Sequence, residues 1–236
     1  MRFLRFFAVF AFAACSSAAP FATTVGILKP GDVMSVHVVQ GTVNAFQPAT
    51  GEPRNRFTVS ATALAKTTPA GPQMRPDKRG VRVEAAQPLD SLLVRVPDGV
   101  DLDVDSDAGD VHVTNIQGNA RVHAAKGNVQ IILPGYVEAR VGTGRLSATM
   151  GAVQWPGTLH FSTESGDIEV WVNENAKFHI RMHTDNGTLF SDFDLRGQSA
   201  GSAETIDTGV NGGGAQSIDI ESKAGAIRLL KLHPEA

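Results

Sequence analysis

The side chains best able to do chemistry are seven histidines, a run of aspartates, one cysteine and two tryptophans. His179 and His183 stand four apart, the spacing that brings two imidazoles to one metal on a helix. Here Phe178, Ile180 and Met182 alternate with His179, Arg181 and His183, so the segment reads as a strand. The two rings then lie about 13 Å apart, too far for one ion. His112, His123 and His160 also take outward parity. Asp101, Asp103 and Asp105 alternate with Leu102 and Val104, about 7 Å per step along one strand face. Only a turn carrying Asp107 and Asp110 inward could complete a calcium shell, and the glycine-rich calcium nonapeptide is absent. No metal site and no cofactor is expected.

Catalysis is equally poorly served. There is no G-x-S-x-G elbow. The stretch "GTGRLS" (142–147) lacks the third glycine of a phosphate-binding turn and opens no helix. A polysaccharide-cleaving β-helix would need acids or a basic residue gathered in a groove. Asp167, Glu169 and Arg181 are the charges that could approach one another on neighbouring coils, yet outward charges are ordinary on a solvated sheet. Trp171 also faces outward if its strand keeps register beyond Val170, and could stack on a sugar ring. Trp155, in "QWPG", is the other aromatic of interest; such residues more often cover a loop. These features describe a candidate binding surface of Trp171, Asp167, Glu169 and Arg181 on a protein that is not an enzyme.

The elements that position these residues repeat. "LDVDSDAGDVHV" (102–113), "ARVHAAKGNVQI" (120–131), "LHFSTESGDIEV" (159–170), "FHIRMHTDNGTLF" (178–190) and "IDIESKAGAIRL" (218–229) share one plan, with a weaker copy at 137–148. Two alternating apolar positions lead through a polar turn and a glycine to two more. The marker glycines are Gly109, Gly127, Gly144, Gly166, Gly187 and Gly225, about 20 residues apart except for a double step before the last. Period-two alternation places Val111/Val113, Val129/Ile131, Ile168/Val170 and Ile227/Leu229 on inward faces. A 20-residue unit cannot enclose its own apolar side, so copies must stack. The expected fold is an all-β, single-domain β-solenoid with six such coils; a β-sandwich of hairpins is the alternative.

Residues 33–97 read as less regular strands that begin and cap the stack, and 98–232 as the coils. The proline-rich stretch 66–80 is expected as an irregular surface loop. Residues 196–217, rich in Gly and Ser, are expected as a flexible loop that absorbs the double step.

At the N-terminus Arg2 and Arg5 precede "FFAVFAFAA", the charged and apolar parts of an export signal over 1–14, too short to span a bilayer. Cys15 in "FAAC" resembles the lipobox of bacterial lipoproteins and is the candidate lipidation site, with 15–32 as a tether. Cleavage near "SAAP", giving a soluble periplasmic or secreted form, is the alternative. A single cysteine allows no internal disulfide. With 21 Lys+Arg against 24 Asp+Glu, net −3, the charge balance points to no nucleic-acid partner.

The recurring Φ-x-Φ-x-S/T-x-x-G-D-Φ-x-Φ, introduced by "VPDGVDLDV" (96–104) and closed by "GGGAQSIDIESKAGAIRL" (212–229), resembles a bacterial family of adhesin-like domains of otherwise unknown function. The resemblance covers about residues 33–230 and is clearest from Leu92 onward. It implies an exported or membrane-tethered β-solenoid without an assigned catalytic site. Arg145 and Ala226 stand where the motif has an acid, and those coils are expected to be less regular. The expectation is therefore a non-enzymatic cell-envelope protein that presents a surface to an envelope protein or polysaccharide. It meets the membrane only through a lipid anchor, with self-assembly or sensor binding as the alternative role.

Overall fold

The computed structural model describes residues 21–63, 71–152, 154–195, 198–200 and 203–233. Cys15, the 1–14 leader and residues 64–70 of the expected loop lie outside them. Numbered along the chain, the strands form two sheets that face each other across one core. Sheet I runs β1 (Phe21–Ile27), β4 (Arg56–Thr62), β7 (Ser91–Arg95), β3 (Thr42–Phe46), β9 (Val111–Thr114), β11 (Val129–Leu133), β13 (Leu146–Met150), β15 (Ile168–Asn173), β21 (Ile227–Leu232), β17 (Leu189–Ser191). Sheet II runs β18 (Gln198–Ala200), β19 (Ala203–Val210), β16 (Phe178–Asn186), β20 (Gln216–Ala224), β14 (Thr158–Ser165), β12 (Val137–Thr143), β10 (Ala120–Lys126), β8 (Asp101–Ser106), β2 (Val33–Val38), β6 (Gly80–Ala85), β5 (Gln73–Asp77).

Each coil contributes one strand to each sheet, and equivalent strands pair in parallel. Val111, Val129, Leu146, Ile168 and Ile227 therefore form one buried column. Val104, Val122, Ala139, Phe161, Ile220 and Met182 form another on the opposite sheet. Each such aliphatic side chain gains about 2 kcal/mol from burial, and only because a neighbouring coil covers it. A sandwich of hairpins would pair successive strands antiparallel, so the parallel columns establish the solenoid.

Among the described residues eight coils stack where six were expected, because β2–β3 and β6–β7 are full coils and not merely a cap. Ten strands of sheet I span about 43 Å at the usual spacing. The order of coils departs from chain order at both ends. β2–β3 lies between β6–β7 and β8–β9, and β20–β21 lies between β14–β15 and β16–β17. Antiparallel strands close the ends: β5, β4 and β1 on one side, β19 and β18 on the other.

Two expected loops are corrected here. Within 66–80, Gln73–Asp77 pairs with β6, and Pro76 is tolerated because β5 is an edge strand. Within 196–217, Glu204–Val210 of β19 pairs with β16, so the double step holds an end cap and the return path of the chain. Gly and Ser content alone did not show that 204–210, "ETIDTGV", alternates like a strand.

The marker glycines form the corner between the sheets. Gly127 has φ 133°, and a Cβ there would overlap the carbonyl oxygen of Gly109; Gly144, Gly166, Gly225 and Gly187 continue the column in the same manner. The residue after the glycine links coils through its side chain. Asp110 Oδ1 accepts from the Asn128 N–H (2.8 Å), Asn128 Oδ1 from the Arg145 N–H (3.0 Å), and Asp167 Oδ1 from the Ala226 N–H (2.9 Å). Arg145 and Ala226 supply no such acceptor, yet β13, β15 and β21 keep full register, so the expected irregularity of those coils is absent. Inside the corner Thr163 Oγ1 lies 2.9 Å from the Gly166 carbonyl and 3.0 Å from Ser222 Oγ, and Thr184 Oγ1 donates to the Gly225 carbonyl (3.0 Å).

Candidate functional site

The two outer faces of the rod differ in chemistry. On sheet II, one row in register reads Arg82, Ser35, Asp103, Arg121, Glu138, His160, Asp219, Arg181 and Asp207. Opposite charges alternate from strand to strand: Arg121 lies 3.6 Å from Asp103 and 3.5 Å from Glu138, and Arg181 lies 3.7 Å from Asp219. The next row places His123 2.9 Å from Asp105. Half-exposed pairs of this kind contribute little each, but together they neutralise the face. Their carboxylates already have cationic or imidazole neighbours.

The aspartate run is used up in the same way. Asp101 Oδ1 accepts from the Asn119 N–H (2.9 Å), Asp110 holds the next coil, and Asp107 lies 3.7 Å from His37. His179 faces Asp207 at 2.6 Å, while His183 contacts Thr205 and Asp185, so the two rings of the i, i+4 pair look to different partners. Among the described residues no three His, Cys, Asp or Glu side chains converge as a metal ion would require. The Lys223 ammonium is raised above the ordinary lysine range by its hydrogen bond to Glu164 and by that carboxylate's charge.

Sheet I turns a different surface to solvent. Phe46, Thr114, Ile132, Thr149, Trp171 and Leu230 stand in register along successive strands, all half-buried. Beside them, two residues back along each strand, run Asn44, His112, Gln130, Ser147, Glu169 and Arg228. The polar row borders a shallow depression of about 770 Å³ between His112 and Glu169. The four large hydrophobic side chains that are exposed among the described residues, Val25 (43%), Ile27 (63%), Leu93 (40%) and Phe190 (53%), all belong to sheet I strands.

Three of the four residues expected to share a surface lie on this side. β15 keeps its register past Val170, so Trp171 does face outward, and its Nε1–H donates to Glu169 Oε1 (2.8 Å). Asp167 sits at the glycine corner, bound to the Ala226 N–H. Arg181 is a correction: it lies on β16, on the outer face of sheet II, and cannot join Asp167 and Glu169. Residues 159–170 and 178–190 are successive copies of one plan, but Asp167 and Glu169 follow the glycine of the first, towards sheet I, whereas Arg181 precedes the glycine of the second, in sheet II. Trp155 is buried against Phe178, ring centroids 5.6 Å apart, with its Nε1–H directed to the Ser217 carbonyl.

Phe46, Thr114, Ile132 and Thr149 escaped the sequence reading. The signal was present: each stands five residues after its coil's glycine, as do Trp171 and Leu230, counted from Gly41, Gly109, Gly127, Gly144, Gly166 and Gly225.

Comparison with known proteins supports the same architecture. No curated protein matches the sequence significantly. Among solved structures, a protein from Clostridium sporogenes ATCC 15579, provisionally named as a cell adhesion protein, aligns over 89% of this chain and 99% of its own, with a TM-score of 0.51 and 10% identity. That likeness is one of fold. A provisionally named adhesin from Bacteroides fragilis NCTC 9343 aligns over 90% of this chain and 98% of its own (TM-score 0.29, 10% identity). Another from Parabacteroides distasonis ATCC 8503 aligns over 91% and 98% (TM-score 0.25, 10% identity). The profile of the family described as Toastrack DUF4097 matches residues 98–230, from the turn before β8 into β21 and more than half of the chain. This chain belongs to the Toastrack DUF4097 family.

Proposed function

We propose that this protein is a non-enzymatic, adhesin-like binding module of the cell envelope, which presents the outer face of sheet I to an extracellular polymer or protein. The observation that carries the reading is the contrast between the two faces. Sheet II is a lattice of mutually neutralised charges, whereas sheet I offers an uncharged row with an oriented indole beside a row of hydrogen-bonding side chains. Such a surface suits recognition, since a few placed polar groups beside apolar ones fix a ligand without chemistry.

The export signal over 1–14 and lipidation at Cys15 complete the proposal. Cys15 precedes β1 by six residues, a reach of about 20 Å at most, so an anchor there would hold the β1 end of the rod towards the membrane. Radiolabelled palmitate should enter the wild type and not Cys15→Ser; equal labelling of both removes the anchor.

Binding of the full chain to immobilised matrix proteins and polysaccharides tests the module itself. Retention should be lost in a Thr114→Arg/Thr149→Arg variant of sheet I and kept in an Arg121→Ala/Arg140→Ala variant of sheet II. Absence of binding to every surface, or loss only in the sheet II variant, overturns it. A second reading, self-assembly, is favoured by β1, whose "FATTVGI" is an uncharged strand at the end of sheet I with Val25 and Ile27 exposed. Light scattering of the wild type beside Val25→Lys decides it: a concentration-dependent rise in mass that the lysine abolishes supports assembly, and a constant monomer rejects it.

A further inference from the structure

Resting on the binding-face reading above, we infer that the ligand of sheet I is an extended, uncharged, β-linked polysaccharide lying along the axis of the rod, across the strands. The spacing of the row points to this class. From Phe46 to Trp171 the large apolar groups fall on every second strand, with Thr114 and Thr149 between them. At the usual strand separation they recur about every 9.6 Å, over a run of about 19 Å. In an extended glycan with equatorial linkages successive rings turn over, so the same ring face returns every second sugar, a comparable distance. Ile132 and Trp171 can then each meet one apolar ring face, the threonine hydroxyls fall against the intervening rings, and Phe46, with the Arg95 guanidinium 5.9 Å from its ring centroid, closes the track at its far end.

A peptide fits less well. Extended along the rod it would present same-side residues about every 6.8 Å, out of phase with both the strand spacing and its double. Running parallel to the strands it would pair with an edge by main-chain hydrogen bonds and not lie across a face. A lipid surface needs a broad apolar patch, whereas this row is one residue wide. Nucleic acid needs a track of basic side chains, and none of Thr114, Ile132, Thr149 and Trp171 is charged.

The flanking row supplies what equatorial hydroxyls require. Asn44, His112, Gln130 and Ser147 are hydrogen-bonding side chains, one per strand, with His112 Nδ1 3.2 Å from Gln130 Oε1. The single carboxylate in that stretch, Glu169, is engaged by the Trp171 indole and fixes its plane. An indole held in place, with its polar edge already satisfied, presents its apolar surface at low entropic cost.

The test uses the full chain in affinity electrophoresis and tryptophan fluorescence, with hydroxyethylcellulose, glucomannan and xyloglucan as extended neutral β-glycans. Pullulan serves as a flexible α-glucan, alginate as an anionic polymer and collagen as a protein. At least one β-glycan should retard the chain and shift its fluorescence. Trp171→Ala and Thr149→Arg should each weaken binding tenfold or more, while Arg121→Ala/Arg140→Ala stays within twofold. The second substitution blocks the row with a long charged side chain, and an unchanged circular dichroism spectrum certifies its fold. Equal retardation by pullulan, retardation by alginate alone, or β-glycan binding indifferent to both sheet I variants overturns the inference. If collagen binds through sheet I and every glycan fails, the ligand class is wrong and the binding face stands; if nothing binds, both fall.

Discussion

Gly127 sits so close over Gly109 that a Cβ on it would overlap the Gly109 carbonyl oxygen. The Gly127 N–H meanwhile donates to the Thr143 carbonyl of the following coil (2.9 Å), so this residue is held from both sides.

Gly127→Ala should therefore be among the most damaging single substitutions. It adds a Cβ in a backbone region L-residues avoid and forces two coils apart, together about 3 kcal/mol or more. Gly51→Ala is the comparison: φ is 94°, but nothing lies near the added Cβ, so only the backbone cost of about 1 kcal/mol remains. Urea denaturation of the three proteins checks the ranking, and equal costs would remove the close approach as the cause.

The side-chain ladder after the glycines should respond in both directions. Asp110→Ala leaves the Asn128 N–H without its acceptor and should cost about 1–2 kcal/mol. Arg145→Asn introduces an acceptor where the ladder is broken, and should add about 0.5–1 kcal/mol through the Asp167 N–H. A destabilised Arg145→Asn protein, measured by the same denaturation, would show that Arg145 has a role the ladder does not describe.

Buried hydroxyls at equivalent places on their coils should differ in sign. Thr163 is bonded to Gly166 and Ser222, so Thr163→Val should lose about 1–2 kcal/mol. Ser106 occupies the corresponding position on β8, fully buried, with no hydrogen-bond partner for its Oγ. Ser106→Ala should be neutral or stabilising by up to about 1 kcal/mol, as the melting temperatures of the two variants would report.

Lys223 gives a narrow pH effect. Because its folded pKa is raised by Glu164, the pair contributes while pH is below the unfolded value of 10.5, and the contribution fades as pH climbs through the higher folded value. The stability difference between wild type and Lys223→Met should be flat near neutrality, small because the amine is fully exposed, and should vanish above that window and at high salt.

Much of the fold was legible because burial and alternation coincide. Val111/Val113 and Ile168/Val170 face inward as period two requires, and the glycines that mark the repeat recur once per coil. Spatial order was not legible. Nothing local in "FHIRMHTDNGTLF" states that its coil lies outside the one formed by 218–229, since both present the same aliphatic pattern to either neighbour. The candidate surface was half legible for a related reason. Outward positions carry no packing constraint, so Trp171 stood out by type, while Thr114 and Thr149 acquire meaning only once the coils are superposed. Arg181 was misplaced because a repeat unit contains a strand from each sheet, and parity does not say which.

The out-of-order coils at the C-terminal end also bear on how the chain reaches this shape. Strands β14–β15 and β16–β17 are neighbours in the chain but do not pair with each other; residues 216–232 wedge between them. Synthesis from the N-terminus completes β14–β15 and β16–β17 before the strands that lie between them, so two aliphatic surfaces stay uncovered until residues 216–232 join. Strands β20 and β21 thus act as a keystone, and a product truncated or cut before them would be left with a gap one coil in from its end rather than shortened at its tip.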